Sequence, residues 1–124
     1  MQLQVLLVED EGPVREFVRR TLDHAGYKVI EATNPNEALQ LLERLSGVVD
    51  LVLTDVVMPG MSGRLMADRL ASRYPRLKIL FMSGNEEIIQ LVNRTHNVSG
   101  PMLSKPFTPT ALIERVNQVL KRAA

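Results

Sequence analysis

Four places in this sequence put a reactive polar side chain at the end of an apolar run. Glu9 and Asp10 follow Val5-Leu6-Leu7-Val8, Asp55 follows Leu51-Val52-Leu53-Thr54, Ser83 follows Leu80-Phe81-Met82, and Lys105 comes shortly after Met102-Leu103. Carboxylates held close together repel one another unless a cation sits between them or a proton is shared. Hard oxygen donors with room for water suit Mg2+ better than zinc, and neither a cysteine nor a histidine pair argues for a softer ion. A lysine ammonium and a serine hydroxyl, together with such an ion, stabilise the oxygens of a phosphoryl group. A carboxylate can itself be the nucleophile that receives this group, as an aspartyl phosphate. Taken singly, each residue has an ordinary explanation: acids at a helix start, a turn or capping aspartate, a lysine before a turn. The chemistry requires elements that carry all four places to one crevice.

Those elements are legible. Val5–Val8 reads as a short buried strand, and Pro13 suits the first turn of the helix after it. Val14, Phe17, Val18, Leu22 and Ala25 recur at helical spacing, with Gly26 as the terminator. Val29 and Ile30 form a second strand, with Tyr27 leading in. Asn34-Pro35 starts a helix with the stripe Ala38, Leu41, Leu42 and Leu45, ended by Gly47. The run from Leu51 to Asp55 is a buried strand bounded by turn residues. Ser62-Gly63 opens a third helix carrying Met66, Leu70 and Tyr74 as far as Pro75. A fourth strand spans Leu77 to Met82, a weaker helix Glu86 to about Arg94, and a loop Thr95 to Gly100. Pro101-Met102-Leu103 is a short fifth strand, and the last helix begins near Thr108-Pro109 and buries Leu112, Val116, Val119 and Leu120.

Strands alternating with amphipathic helices predict an α/β, doubly wound, five-stranded parallel sheet with helices on both faces. Right-handed crossovers and the flavodoxin-like strand order 2-1-3-4-5 follow for five such units. In that order the first, third, fourth and fifth strands are neighbours, so Glu9, Asp10, Asp55, Ser83 and Lys105 share the crevice at the strands' C-terminal ends.

Length and composition narrow the alternatives. A chain of 124 residues, 45% hydrophobic and 23% charged, is expected to form a single domain over 1–124 with one buried core. A net charge of +1 with both signs mixed gives no electrostatic footprint for nucleic acid or a membrane surface. Two tyrosines, three phenylalanines and no tryptophan leave little for base stacking. The absence of cysteine fits a reducing compartment. No apolar run reaches membrane-spanning length and the first residues do not form a signal peptide, so a cytoplasmic location is expected. His24 and His96 lie away from the acid cluster and are not expected to be ligands.

With the motifs in order, each at a strand end, the whole chain resembles the receiver domain of two-component response regulators. The resemblance rests on Glu9-Asp10, the segment from Asp55 to Pro59, Ser83-Gly84 and Lys105-Pro106-Phe107. Thr54 to Gly63 and Leu80 to Gly84 most resemble the receivers attached to hybrid sensor histidine kinases. The resemblance implies that Asp55 is the phosphoacceptor, with Asp10 binding Mg2+ directly and Glu9 through water. It further implies a metal contact from the backbone carbonyl of Val57, phosphoryl contacts from Ser83 and Lys105, and a cis bond between Lys105 and Pro106. The implied partner is a histidine kinase or histidine phosphotransfer protein, and the resemblance leaves open a free-standing regulator or a part of a larger hybrid kinase, tilting toward the latter. Its catalysis is confined to its own phosphorylation and dephosphorylation, so it is not expected to be an enzyme acting on a separate substrate.

Two positions depart from the family's commonest pattern. Met102 stands three residues before Lys105, where a switching tyrosine or phenylalanine is usual, and methionine lacks the ring whose rotation reports phosphorylation. Val57 stands where a polar side chain often orients the hydrolytic water, which predicts slow autodephosphorylation. Two readings compete with the phosphoaccepting switch. A pseudo-receiver would keep the fold as a protein-binding module, and Met102 is its one support. An aspartyl-phosphate phosphohydrolase or flavodoxin-like cofactor binder would need a cap domain or a longer glycine-rich loop than the turn after Glu11. A DNA-binding output is not expected, because the sequence ends with the last helix.

Overall fold

A computed structural model describes residues 2–56, 63–84 and 102–121. Its strands are β1 (Gln4–Val8), β2 (Lys28–Ala32), β3 (Leu51–Asp55), β4 (Lys78–Ser83) and β5 (Met102–Ser104). The helices described are α1 (Gly12–His24), α2 (Pro35–Arg44), α3 (Gly63–Arg73) and α4 (Pro109–Val119). The sheet runs β2-β1-β3-β4-β5 and every pairing is parallel, which is the expected order. The helix expected over Glu86 to Arg94, the loop Thr95 to Gly100, Pro101, Val57 and His96 lie outside the described residues.

The period-2 alternation of the strands divides the core into two layers. Val5, Leu7, Leu51, Leu53, Leu80 and Met82 point to one face, where Val18 and Leu22 of α1 and Leu112 and Val116 of α4 cover them. Leu6, Val8 and Val52 point to the other, against Ala38 and Leu42 of α2 and Met66 and Leu70 of α3. β1 and β3 carry apolar side chains to both faces, so they read as continuous apolar runs. The helices are delimited as their sequences suggest. The side chains of Asn34 and Thr108 accept from the backbone N–H groups of Glu37 and Ala111, and each is followed by proline in the first turn. Beyond α1, Gly26 adopts φ +92°, the left-handed conformation that favours glycine.

Several details differ from the sequence expectation, among them β4, which spans Lys78–Ser83 rather than Leu77 to Met82 so that Ser83 is its last residue. β2 extends over Lys28–Ala32 rather than Val29 and Ile30 alone, because its whole length pairs with β1 while Lys28 and Glu31 stay exposed. Tyr27 is fully buried rather than merely leading in, and its hydroxyl hydrogen-bonds the Asn117 side chain of α4. α3 stops at Arg73, and Tyr74 leaves the helix to lie against Gly47. Gly47 has φ +73°, and a Cβ there would come within 2.5 Å of the Tyr74 ring, so both conformation and space demand glycine.

Candidate functional site

Register assembles the site. Val8 of β1 lies opposite Thr54 of β3, so Glu9 and Asp55 leave adjacent strands at the same level. Asp55 pairs in turn with Met82, and Ser83 with Ser104, which carries the level across to β5. The backbone N–H of Lys105 donates to the Ser83 carbonyl at 2.8 Å, so the chain bearing the lysine is tied to the end of β4. Four strand ends therefore open onto one place, at the C-terminal edge where parallel sheets hold ligands.

The side chains converge there. Lys105 Nζ donates to Asp55 Oδ2 at 2.9 Å and to Glu9 Oε2 at 3.1 Å, so one ammonium bridges two carboxylates. Glu9, Asp10 and Asp55 each offer a carboxylate oxygen within 4.8 Å of the others. Glu9 is completely buried, Asp55 is 8% exposed, and Asp10 is open to solvent. The backbone N–H of Glu11 donates to Glu9 Oε1 at 3.3 Å, while the Thr54 hydroxyl donates to the Asp55 carbonyl at 3.0 Å. Ser83 ends β4 and is 2% exposed. The Lys105–Pro106 bond is cis.

The charge balance is uneven. Burial first, and then the neighbouring Asp55 charge, push Glu9 up from its ordinary 4.5 to about 7, against the Lys105 and Glu11 hydrogen bonds that lower it. Burial pulls Lys105 down, but its bonds to Asp55 and Glu9 outweigh that and hold it above its ordinary 10.5. Three carboxylates around one ammonium leave an excess of negative charge, which a proton on Glu9 partly relieves near neutrality. A divalent cation would relieve it better, and the donor set, all carboxylate oxygens with one ligand facing water, fits Mg2+ rather than a soft metal.

Met102 lies at the far edge of this arrangement. It pairs with Phe81 and is half-buried against Phe81 and the cluster that includes Val56 and Ala67. The Val57 carbonyl lies outside the described residues. Arg15 is a site neighbour that the sequence reading passed over. Its Nη1 donates to the Glu9 carbonyl at 2.9 Å, and its Nε lies 3.6 Å from Glu31 Oε1. An arginine on an amphipathic helix ordinarily faces solvent. The available signal was its position in the first turn behind Glu9-Asp10-Glu11.

Residues 5–117 match the family model described as the response regulator receiver domain. The chain belongs to that family. It is 40% identical over 118 residues to the sensor kinase CckA of Brucella abortus, covering 95% of this chain but 12% of that protein. With the response regulator receiver protein CpdR of the same organism it shares 32% over 117 residues, 94% of this chain and 96% of the relative. A crystal structure of the receiver domain from the hybrid histidine kinase CckA superposes with a TM-score of 0.79 at 33% identity, covering 94% of this chain and 98% of that one. The chain is thus a receiver domain of the two-component type, similar both to free-standing receivers and to one carried in a much longer kinase. No described helix is long and apolar enough to cross a membrane.

Proposed function

We propose that this receiver is a phosphoaccepting switch of a two-component phosphorelay, with Asp55 as acceptor. The observation that carries the reading is the single ammonium of Lys105 bridging Asp55 and Glu9 beside Asp10. Glu9, Asp10 and Asp55, with the Val57 carbonyl, would hold Mg2+. When bound, the ion supplies positive charge against the oxygens of the incoming phosphoryl group.

An Asp55 oxygen attacks the phosphorus of a phosphohistidine on a histidine kinase or histidine phosphotransfer protein. The P–N bond breaks as the P–O bond forms, the electron pair stays on the imidazole, and the imidazole takes up a proton. Lys105, fixed between two carboxylates, meets a phosphoryl oxygen without having to be recruited from solvent. The Ser83 hydroxyl donates to another oxygen. Each added phosphoryl group brings negative charge to the crevice. That charge draws Ser83 inward and biases an equilibrium across the face that carries β5 and α4. Hydrolysis of the acyl phosphate returns the carboxylate and resets the switch. With Val57 in place of a polar residue, the reset is slow.

Residues 1–124 are read as one receiver unit working in the cytoplasm, either free-standing or carried in a larger hybrid kinase. The CckA relative, of which the chain covers 12%, is of the second kind, and CpdR, of which it covers 96%, is of the first. The competing pseudo-receiver draws on Met102, a flexible side chain half-buried against Phe81 where the switching ring is usual. Intact mass after incubation with acetyl phosphate separates the two, with Mg2+ or with EDTA and alongside Asp55→Ala. A gain of one phosphoryl group that needs Mg2+ and Asp55 supports the switch. No gain, together with no Mg2+ binding, leaves the interaction module.

A further inference from the structure

The Glu9 carbonyl lies just past the last paired residue of β1, where the ladder to β3 has ended, and Glu9 is completely buried. A buried carbonyl without a partner is costly, so its satisfaction has to come from a side chain. Arg15 provides it, through a charge-assisted bond of 2.9 Å from α1. The guanidinium is itself anchored on the far side by Glu31 of β2, at 3.6 Å. The peptide between Glu9 and Asp10 is planar, so holding that carbonyl fixes the plane from which the Asp10 side chain departs. Asp10 is exposed, and among the described residues no hydrogen bond or ion pair holds its carboxylate. Its direction depends on its backbone.

We propose that Arg15 is a positioning residue for the divalent-cation site, aiming Asp10 through the Glu9 carbonyl with Glu31 as its anchor. This inference rests on the reading of Glu9, Asp10 and Asp55 as the cation ligands. Groups that orient metal ligands from behind ordinarily change affinity by about 10- to 100-fold when removed. A positive charge beside a cation site would by itself weaken binding. The Arg15–Glu31 pair carries no net charge, so it contributes geometry at little electrostatic cost.

The test is the Mg2+ dissociation constant of the metal-free chain by calorimetry, at about pH 8 so that Glu9 is mostly ionised. The double variant Arg15→Gln with Glu31→Gln keeps the local net charge, and glutamine is too short to make both contacts. Glu31→Gln also removes the 3.8 Å ion pair of Arg19 with Glu31, while Arg19 keeps its 3.0 Å bond to Asp23. The double variant should bind Mg2+ about tenfold more weakly, with its urea midpoint in EDTA reporting separately on folding. Arg15→Lys conserves charge but lacks the two-sided fork, and it should weaken binding by about threefold. If the double variant does not fold, unchanged affinity in Arg15→Lys overturns the proposal. Wild-type affinity in a folded double variant also overturns it while leaving the cation site standing. A wild-type chain that does not bind Mg2+ at all overturns both.

Discussion

Glu9→Gln isolates the charge imbalance at the centre of the site. Glu9 is completely buried and raised from 4.5 to about 7, so in metal-free protein the unfolded chain releases this proton first as pH rises. Between those values ionisation favours the unfolded state. Stability from this group is fully present below 4.5 and is lost as pH rises through about 7. At 1.36 kcal/mol per pH unit, the loss amounts to about 3 kcal/mol. This is the reverse of the usual carboxylate, which gains stability on ionising because its folded value is depressed. Glutamine has the same shape and keeps an acceptor for Lys105, but it does not titrate. Urea unfolding in EDTA at about pH 5 and about pH 8 should show wild type losing about 2 to 3 kcal/mol more than Glu9→Gln across that interval, since part of the loss has already occurred by pH 5. Groups that do not touch Glu9 are common to both proteins and cancel in the comparison. Saturating Mg2+ should restore wild type more at the higher pH, because the ion binds the ionised carboxylate and the folded state alone. Parallel pH profiles for the two proteins would refute the reasoning.

Lys105→Met removes the bridging ammonium and leaves Glu9 and Asp55 facing each other. In EDTA at about pH 8 it should lower stability by about 2 kcal/mol, the worth of hydrogen bonds to charged groups, as read by urea midpoint. Lowering the pH should recover part of that loss as Glu9 takes up a proton. Gly47→Ala combines a φ of +73° with a Cβ 2.5 Å from the Tyr74 ring. About 3 kcal/mol of destabilisation is expected from strain and overpacking together. Because Gly47 lies after α2, away from the strand ends that carry Asp55, a folded Gly47→Ala protein should still phosphorylate at the wild-type rate with acetyl phosphate.

The strands that place the site were readable because they are apolar on both faces and end in turn chemistry. β3 was legible residue for residue, and Asn34 and Thr108 announced their helices through a capping side chain followed by proline. β2 was only half legible, since an edge strand with Lys28 and Glu31 on its exposed positions hides its length from an apolar-run reading. Helical spacing carried Tyr74 into α3, but its ring instead packs beside Gly47, a contact between residues 27 positions apart that no local pattern encodes. At the site, residue types and strand ends announced which groups would meet. What they could not announce was the charge state. That depends on Glu9 being buried completely while Asp10 stays in water, and on one lysine being shared between two carboxylates. Arg15 went unread for a similar reason: its partner is a backbone carbonyl, and a carbonyl carries no sequence signature.

The most direct test of the central claim is where the phosphoryl group goes. The chain is treated with acetyl phosphate and Mg2+, the acyl phosphate is reduced with borohydride, and the modified residue is located by tandem mass spectrometry. Reduction is expected at Asp55 alone, absent in EDTA and in Asp55→Asn. Modification at Glu9 or Asp10 instead, or none at any residue while Mg2+ binds normally, would contradict it.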